Sequence, residues 1–250
     1  TKDVGIADKE ALGNVIKELL GKIKTNPITS HPFPAYGTAG LLSLYNEFGI
    51  FPTRNFQSGV FELAFKISGQ ALAEKYLTRT RGCFSCPIAC GRVTKVDEPE
   101  KYRGHGEGPE YETLNMFGGN CGVGDLAAIL KANYYCNEFG MDTISTGNTI
   151  ACAMELYEKG IISEEEVGLK LNFGNADAMI EMVKKIAYRE DFGDVLAEGA
   201  YRMAEKYGHP EVSMTVKKSE IPGYEPRSCK GMGLGYATSN VGANHCRQYV

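Results

Sequence analysis

The stretch Asp125-Leu126-Ala127-Ala128-Ile129-Leu130-Lys131-Ala132-Asn133-Tyr134-Tyr135-Cys136-Asn137-Glu138-Phe139-Gly140 reads as one helix with both of its ends marked. Leu126, Ile129, Leu130 and Tyr134 recur at the three-and-four spacing of a buried helical face. Asp125 can accept the free amide protons of the first turn, and Gly140 supplies a left-handed stop. The same periodicity extends in both directions. Upstream, Leu12, Val15, Ile16, Leu19, Leu20 and Ile23 predict a helix with a buried face, stopped by Asn26-Pro27. Downstream, Ile150, Ala153, Met154 and Leu156 predict a helix that ends at Gly160, and Ser163 with Glu166 has the spacing of a capping box. Two more helices are expected, one near Met179, Val183 and Ile186, the other through Leu196, Ala200, Met203 and Tyr207 before Gly208. Only Val212, Met214 and Val216 alternate like a strand. The expected fold is therefore all-α and multihelical, with little strand. Gly208-His209-Pro210 is the best boundary, because the chain beyond it becomes glycine-rich and loses helical periodicity. It divides a helical domain, 1–210, from 211–250, the start of a second, truncated helical domain.

Composition narrows the function. The chain has 250 residues, of which 43% are hydrophobic, enough to bury a sizeable core. A net charge of -4 with both signs interspersed gives no case for nucleic acid or an acidic membrane surface. No apolar run approaches the length of a membrane span, and Thr1-Lys2-Asp3-Val4 does not read as a secretory signal. The first residue is not Met and the chain stops at Val250 after a motif-like run, so a segment of a longer protein is expected. Eight cysteines in a chain of this size do not look like a disulfide scaffold, and a reducing cytoplasm suits them. Of the five scattered ones, Cys121, Cys136, Cys152, Cys229 and Cys246, most are expected to be small buried hydrophobes.

The other three cysteines carry chemistry. Cys83, Cys86 and Cys90 form Cys-x-x-Cys-x-x-x-Cys on a loop with Gly82, Pro87 and Gly91, short enough to curl around one metal centre. Soft thiolates select zinc, copper(I) or iron–sulfur clusters, and three close thiolates with a distant fourth suit a cubane cluster. A zinc knot with His105 as fourth ligand is the competing reading. Two further segments stand out. Glu107-Gly108-Pro109-Glu110-Tyr111-Glu112-Thr113 sets three carboxylates so close that they repel unless they meet a cation or share a proton. The glycine-rich run Gly231 to Asn240, followed by Val241-Gly242-Ala243-Asn244-His245, presents a histidine able to shuttle protons near neutrality. Each has a plain structural alternative, an exposed acidic loop and a structural histidine.

Together these segments resemble the tungsten- and molybdenum-pterin family of aldehyde:ferredoxin oxidoreductases. The resemblance lies in Cys83 to Cys90, Gly108 to Leu114, Gly140 to Asn148 and Pro222 to His245, four motifs in the family's order. It implies two mostly helical domains, this chain spanning the middle one and the start of the last, with a β-rich domain before Thr1 covering one face of the pterin. It implies that Cys83, Cys86 and Cys90 are three of four ligands to a 4Fe-4S cluster, the fourth lying beyond Val250. It also implies Glu112 as the carboxylate and His245 as the histidine beside a tungsten or molybdenum pterin. The family's pterin-contacting pattern stands here as Asn137-Glu138-Phe139-Gly140-Met141-Asp142, so Asn137, Gly140, Met141 and Asp142 are the candidate cofactor contacts. Asn137 replaces an aspartate, keeping an acceptor but losing its charge. The implied activity is oxidation of an aldehyde to a carboxylic acid, with electrons leaving through the cluster to ferredoxin, in a protein compatible with homo-oligomers. Two alternatives remain, a related tungsten enzyme that reduces an aromatic thioester and a non-catalytic iron–sulfur module. The segment alone, without the covering domain, is expected to be inactive.

Overall fold

A computed structural model describes residues 4–249. Thr1-Lys2-Asp3, part of the start read above as no secretory signal, and Val250 lie outside the described residues. The chain begins with α1 (Lys9–Thr25), the short helices α2 (Pro27–Ser30) and α3 (Pro32–Tyr36), then α4 (Leu42–Glu47) and α5 (Gly69–Lys75). An antiparallel sheet follows, of β1 (Leu77–Arg81), β2 (Gly91–Val96) and β3 (Gly104–Glu107), with β2 in the middle. After it come α6 (Tyr111–Leu114), α7 (Leu126–Phe139), α8 (Thr143–Glu158), α9 (Glu164–Val167), α10 (Ala176–Tyr188), α11 (Phe192–Leu196) and α12 (Ala200–Lys206). A small hairpin, β4 (Thr215–Val216) and β5 (Ser219–Glu220), and α13 (Lys230–Thr238) close the described chain. The fold is mostly helical, as the periodicity predicts.

α7 and α8 form the centre. Asp125 caps α7 by accepting from the amides of Ala127 and Ala128 at 3.0 and 3.3 Å, and Gly140 ends it at φ 70°, ψ 33°. Residues 146–156 of α8 are buried on every side, so this helix runs through the core rather than along its surface. Ser163 caps α9, its hydroxyl accepting from the Glu166 amide at 3.2 Å. One contiguous apolar core runs from Ala39 to Ala243 and takes in Val212, Tyr224, Met232 and Tyr236, so the segment after residue 211 packs against the same core.

Four local expectations are corrected. α1 forms, but none of its residues is buried: Leu12, Val15, Ile16 and Leu19 are 41–51% exposed. Periodicity reports an amphipathic surface, not what covers it, and only Leu20 and Ile23 of this stripe are half-buried. The helix expected through Leu196 and Ala200 is two, broken at Gly199, whose φ of +89° no helix accommodates. The glycine-rich stretch, read as losing helical periodicity, nevertheless forms α13, which buries Met232 and Tyr236 four residues apart. Finally, the three-stranded sheet was not expected. Its β3 is Gly-His-Gly-Glu, with no apolar alternation to read. The glycines leave room for the Tyr134 ring of α7, since a Cβ on Gly104 would lie 2.7 Å from Tyr134 Cδ2. The Tyr134 hydroxyl pairs with Thr94 Oγ1 of β2 at 2.8 Å, which fastens the sheet to the central helices.

Arg54, Asn55 and Phe56 are three consecutive non-glycine residues in the left-handed region, at φ 47°, 51° and 62°. Such conformations cost about 1 kcal/mol or more each and persist where neighbours over-determine them. Here the Asn55 side-chain amide donates to Glu155 Oε2 at 2.7 Å and to the Val212 carbonyl at 2.9 Å, and Arg227 donates to the Phe56 carbonyl at 2.5 Å. Among the described residues no helix is long and apolar enough to cross a membrane.

Candidate functional site

Glu112 lies on the single-turn helix α6, which runs directly into a wider turn over Asn115–Gly119. It is largely buried, with 13% of its side chain exposed. Its Oε2 accepts from the Gly223 amide at 2.7 Å. Its buried Oε1 has no hydrogen-bond partner and lies 3.7 Å from His245 Nε2. His245 opens a short turn capped by Asn244, whose side-chain oxygen accepts from the Cys246 amide at 3.0 Å. Two residues more than a hundred positions apart thus converge on one point.

Burial pushes the Glu112 carboxyl up to about 8; the Asp142 carboxylate adds to this, while the Gly223 amide and the Tyr224 side chain oppose it. Burial lowers the pKa of His245, with Asp142 acting the other way. Near neutrality the pair is therefore a protonated acid beside a neutral imidazole, able to exchange a proton with a group that faces both.

Asp142 belongs to the same place. It caps α8, Oδ2 accepting from the Ser145 amide at 2.7 Å, and it shares with Ser219, Asn244 and His245 a cleft of about 220 Å³. Gly140 ends α7, and the Met141 amide bonds the Cys136 carbonyl at 2.8 Å while its half-buried side chain packs against the core. Asn137 does not join them. It is exposed and lines another cleft, of about 530 Å³, with Arg81, His105, Glu107 and Tyr134.

Cys83, Cys86 and Cys90 sit on the loop between β1 and β2, whose ends are closed by the pairing of Arg81 with Gly91. The Cys86 amide bonds the Cys83 carbonyl at 3.0 Å, and Ser85 and Ala89 are left-handed, which curls the loop. Cys83 is exposed, while Cys86 and Cys90 are half-buried. Among the described residues no three His, Cys, Asp or Glu side chains converge as a preformed metal centre, so neither cluster nor zinc set is assembled. The donors nevertheless fit an iron–sulfur group, being three soft thiols on one short, anchored loop. The unpartnered, buried Glu112 Oε1 likewise fits a site completed by a bound group that brings a donor. Of the scattered cysteines, Cys121, Cys136 and Cys152 are buried as expected, Cys229 is half-buried and Cys246 is exposed.

Two features escaped the sequence. Tyr224 stands 5.7 Å from His245, ring to ring, within a cluster that includes Tyr45, Tyr111 and Tyr249. Tyr111 fixes the turn below Glu112 by donating to the Gly223 carbonyl at 2.5 Å. The adjacency of Tyr111 to Glu112 was the available signal. The second is Arg92 of β2, the largest wholly buried side chain. Its Nη1 donates to the carbonyls of Tyr36 and Cys90 at 2.8 and 3.0 Å, and Nη2 to that of Pro109 at 2.8 Å. Nη2 also pairs with Glu110 Oε1 at 3.1 Å.

Residues 14–250 match the family model described as aldehyde ferredoxin oxidoreductase, domains 2 and 3. The whole chain is 51% identical to the tungsten-containing aldehyde ferredoxin oxidoreductase of Thermococcus kodakarensis and 50% identical to that of Pyrococcus furiosus. It spans 41% of the length of each. A more distant relative, the WOR-like subunit of an aliphatic sulfonate oxidoreductase from Pyrococcus furiosus, is 28% identical over 80% of this chain and 32% of its own length. Among solved structures, the BamBC active-site complex of benzoyl coenzyme A reductase superposes at TM-score 0.68, with 22% identity, over 90% of this chain and 35% of that one. At that identity the likeness concerns the fold alone.

Proposed function

Because the chain belongs to the aldehyde ferredoxin oxidoreductase family, we propose that it is the middle part of an enzyme converting an aldehyde and water into a carboxylic acid, two protons and two electrons. In this reading 1–210 is the helical middle domain and 211–250 begins the next one. Cys83, Cys86 and Cys90 would hold a 4Fe-4S cluster, which would supply the electron-transfer route to ferredoxin, and Asp142, Gly140 and Met141 would border the pterin. Asn137 belongs to the same sequence pattern, but its place in a separate cleft favours a contact with another part of the cofactor or none. When bound, the tungsten or molybdenum pterin supplies the two-electron redox chemistry.

The chain's own residues do the rest. Glu112 Oε1, buried and unpartnered, faces the water that adds to the aldehyde carbon. With its pKa raised to about 8, the minor ionised fraction present at neutrality takes the released proton, and the same raised value governs its return. His245 Nε2, beside Glu112, orients the carbonyl oxygen, and its lowered pKa keeps it neutral at pH 7, which suits a hydrogen bond that needs no charge. Tyr224 packs against the imidazole and fixes its plane. The observation that carries this reading is the meeting of Glu112 and His245 at 3.7 Å around an orphaned buried oxygen.

The test uses full-length protein purified without oxygen and assayed for metal, pterin, iron and aldehyde-dependent dye reduction. Glu112→Gln and His245→Asn should each lower turnover by about 100-fold or more, as expected for loss of a general acid–base group, with cluster and pterin content unchanged. Wild-type turnover in either variant removes that residue's role. A protein that loads tungsten but reduces only an aromatic thioester would replace the aldehyde reading with its alternative.

A further inference from the structure

The buried guanidinium of Arg92 ties together three segments that the sequence keeps apart. Residues 36–38 lie on one side, the cysteine loop on the second, and the loop leading into Glu112 on the third. Its acceptors are one carbonyl from each, Tyr36, Cys90 and Pro109, and the fourth partner is the half-exposed Glu110 carboxylate. Glu110 is itself held by the Thr38 hydroxyl. The surrounding backbone is shaped to admit this one side chain. Gly37 is left-handed at φ +61°, and a Cβ there would fall 1.0 Å from Arg92 Nη1. The Gly108 amide donates to the Arg92 carbonyl at 2.7 Å, so main chain and side chain of one residue both grip the loop that presents Glu112.

A cation with no exposed surface, donating to three backbone carbonyls, is costly to bury and unnecessary for anchoring alone. Neutral donors would serve the same carbonyls. What a guanidinium adds is a permanent charge, since it stays protonated at every accessible pH. That charge lies within hydrogen-bond distance of the carbonyl of Cys90, and its anionic counterpart, Glu110, lies on the same network.

We propose that Arg92 and Glu110 are paired positioning residues that set the reduction potential of an iron–sulfur group held by Cys90, Arg92 raising it and Glu110 lowering it. The inference rests on the reading of Cys83, Cys86 and Cys90 as cluster ligands. Adding an electron to the cluster adds negative charge beside Arg92, which favours the reduced state, whereas Glu110 opposes it. Because the Arg92 charge has no exposed surface, salt screens it weakly, and the half-exposed Glu110 more.

The experiment is a redox titration of full-length protein, followed by electron paramagnetic resonance of the reduced cluster. Iron and acid-labile sulfide are measured on each preparation. Glu110→Gln keeps an acceptor for Thr38 and should fold, and its midpoint potential should rise above wild type. Arg92→Gln removes the cation, and its potential should fall below wild type. If Arg92→Gln does not fold, Glu110→Gln decides alone. A Glu110→Gln potential equal to or below wild type, with full iron content, overturns the inference. Two variants shifted in the same direction overturn it as well, since a merely mechanical anchor has no sign. Wild-type protein without iron or sulfide would overturn the cluster reading itself and this inference with it.

Discussion

Glu112 holds its proton far longer in the folded chain than in the unfolded one, from an ordinary value of 4.5 to about 8. Between those values the unfolded chain has lost a proton that the folded chain keeps. Stability therefore falls as pH rises through this window, and the full cost of ionising the buried carboxyl is present above about 8. Glu112→Gln has no proton to lose there. Its melting temperature relative to wild type should be nearly constant below pH 4.5, climb towards pH 8 and then level, an advantage on the order of a few kcal/mol. A difference that does not vary with pH in thermal melts would show that Glu112 is not buried as described. Residues of this kind were only partly legible in the sequence. Glu112 and His245 emerged from resemblance, because nothing adjacent to either states that its environment is dry. Arg92 was not legible at all, since its partners are main-chain carbonyls, which look the same in every sequence.

The elements were easier where the chain marks its own boundaries. Asp125, Ser163 and Gly140 sit where the sequence put the helix ends, because caps and left-handed stops are local chemistry. The sheet was hidden because its third strand owes its place to the Tyr134 ring and not to alternation. Asp142 illustrates how an element boundary also serves the site, being both the cap of α8 and the anion that acts on Glu112 and His245. The two roles separate by substitution. Asp142→Asn keeps an amide oxygen for the Ser145 amide and should melt close to wild type, while Asp142→Ala should lose about 1 kcal/mol. Both remove the charge, so both should lower the pKa of Glu112, read by following its carboxyl resonance through a pH titration. Equal melting temperatures for the two variants would mean that the cap contributes nothing.

For the molecule as a whole, the stripe on α1 is the feature that amphipathic periodicity described correctly and burial did not. Exposed positions contribute little to stability, so Leu12→Gln with Leu19→Gln should leave the melting temperature of this chain within about 0.5 kcal/mol equivalent of wild type. The same pair should reduce self-association in sedimentation at high concentration, because an uncovered apolar stripe favours contact between copies. A large loss of stability would show that the helix packs more tightly than its exposure indicates. The left-handed turn at Arg54–Phe56 has a different consequence, one of time. Its last hydrogen-bond partner, Arg227, lies 171 residues further along the chain. At synthesis rates of roughly 5–20 residues per second, that is a wait on the order of ten seconds to half a minute. During that interval the partners of Arg54 and Asn55 at Gly119, Asn120, Glu155 and Val212 are made, while the Phe56 carbonyl still lacks the Arg227 donor. The turn is made long before the last of its contacts can be set.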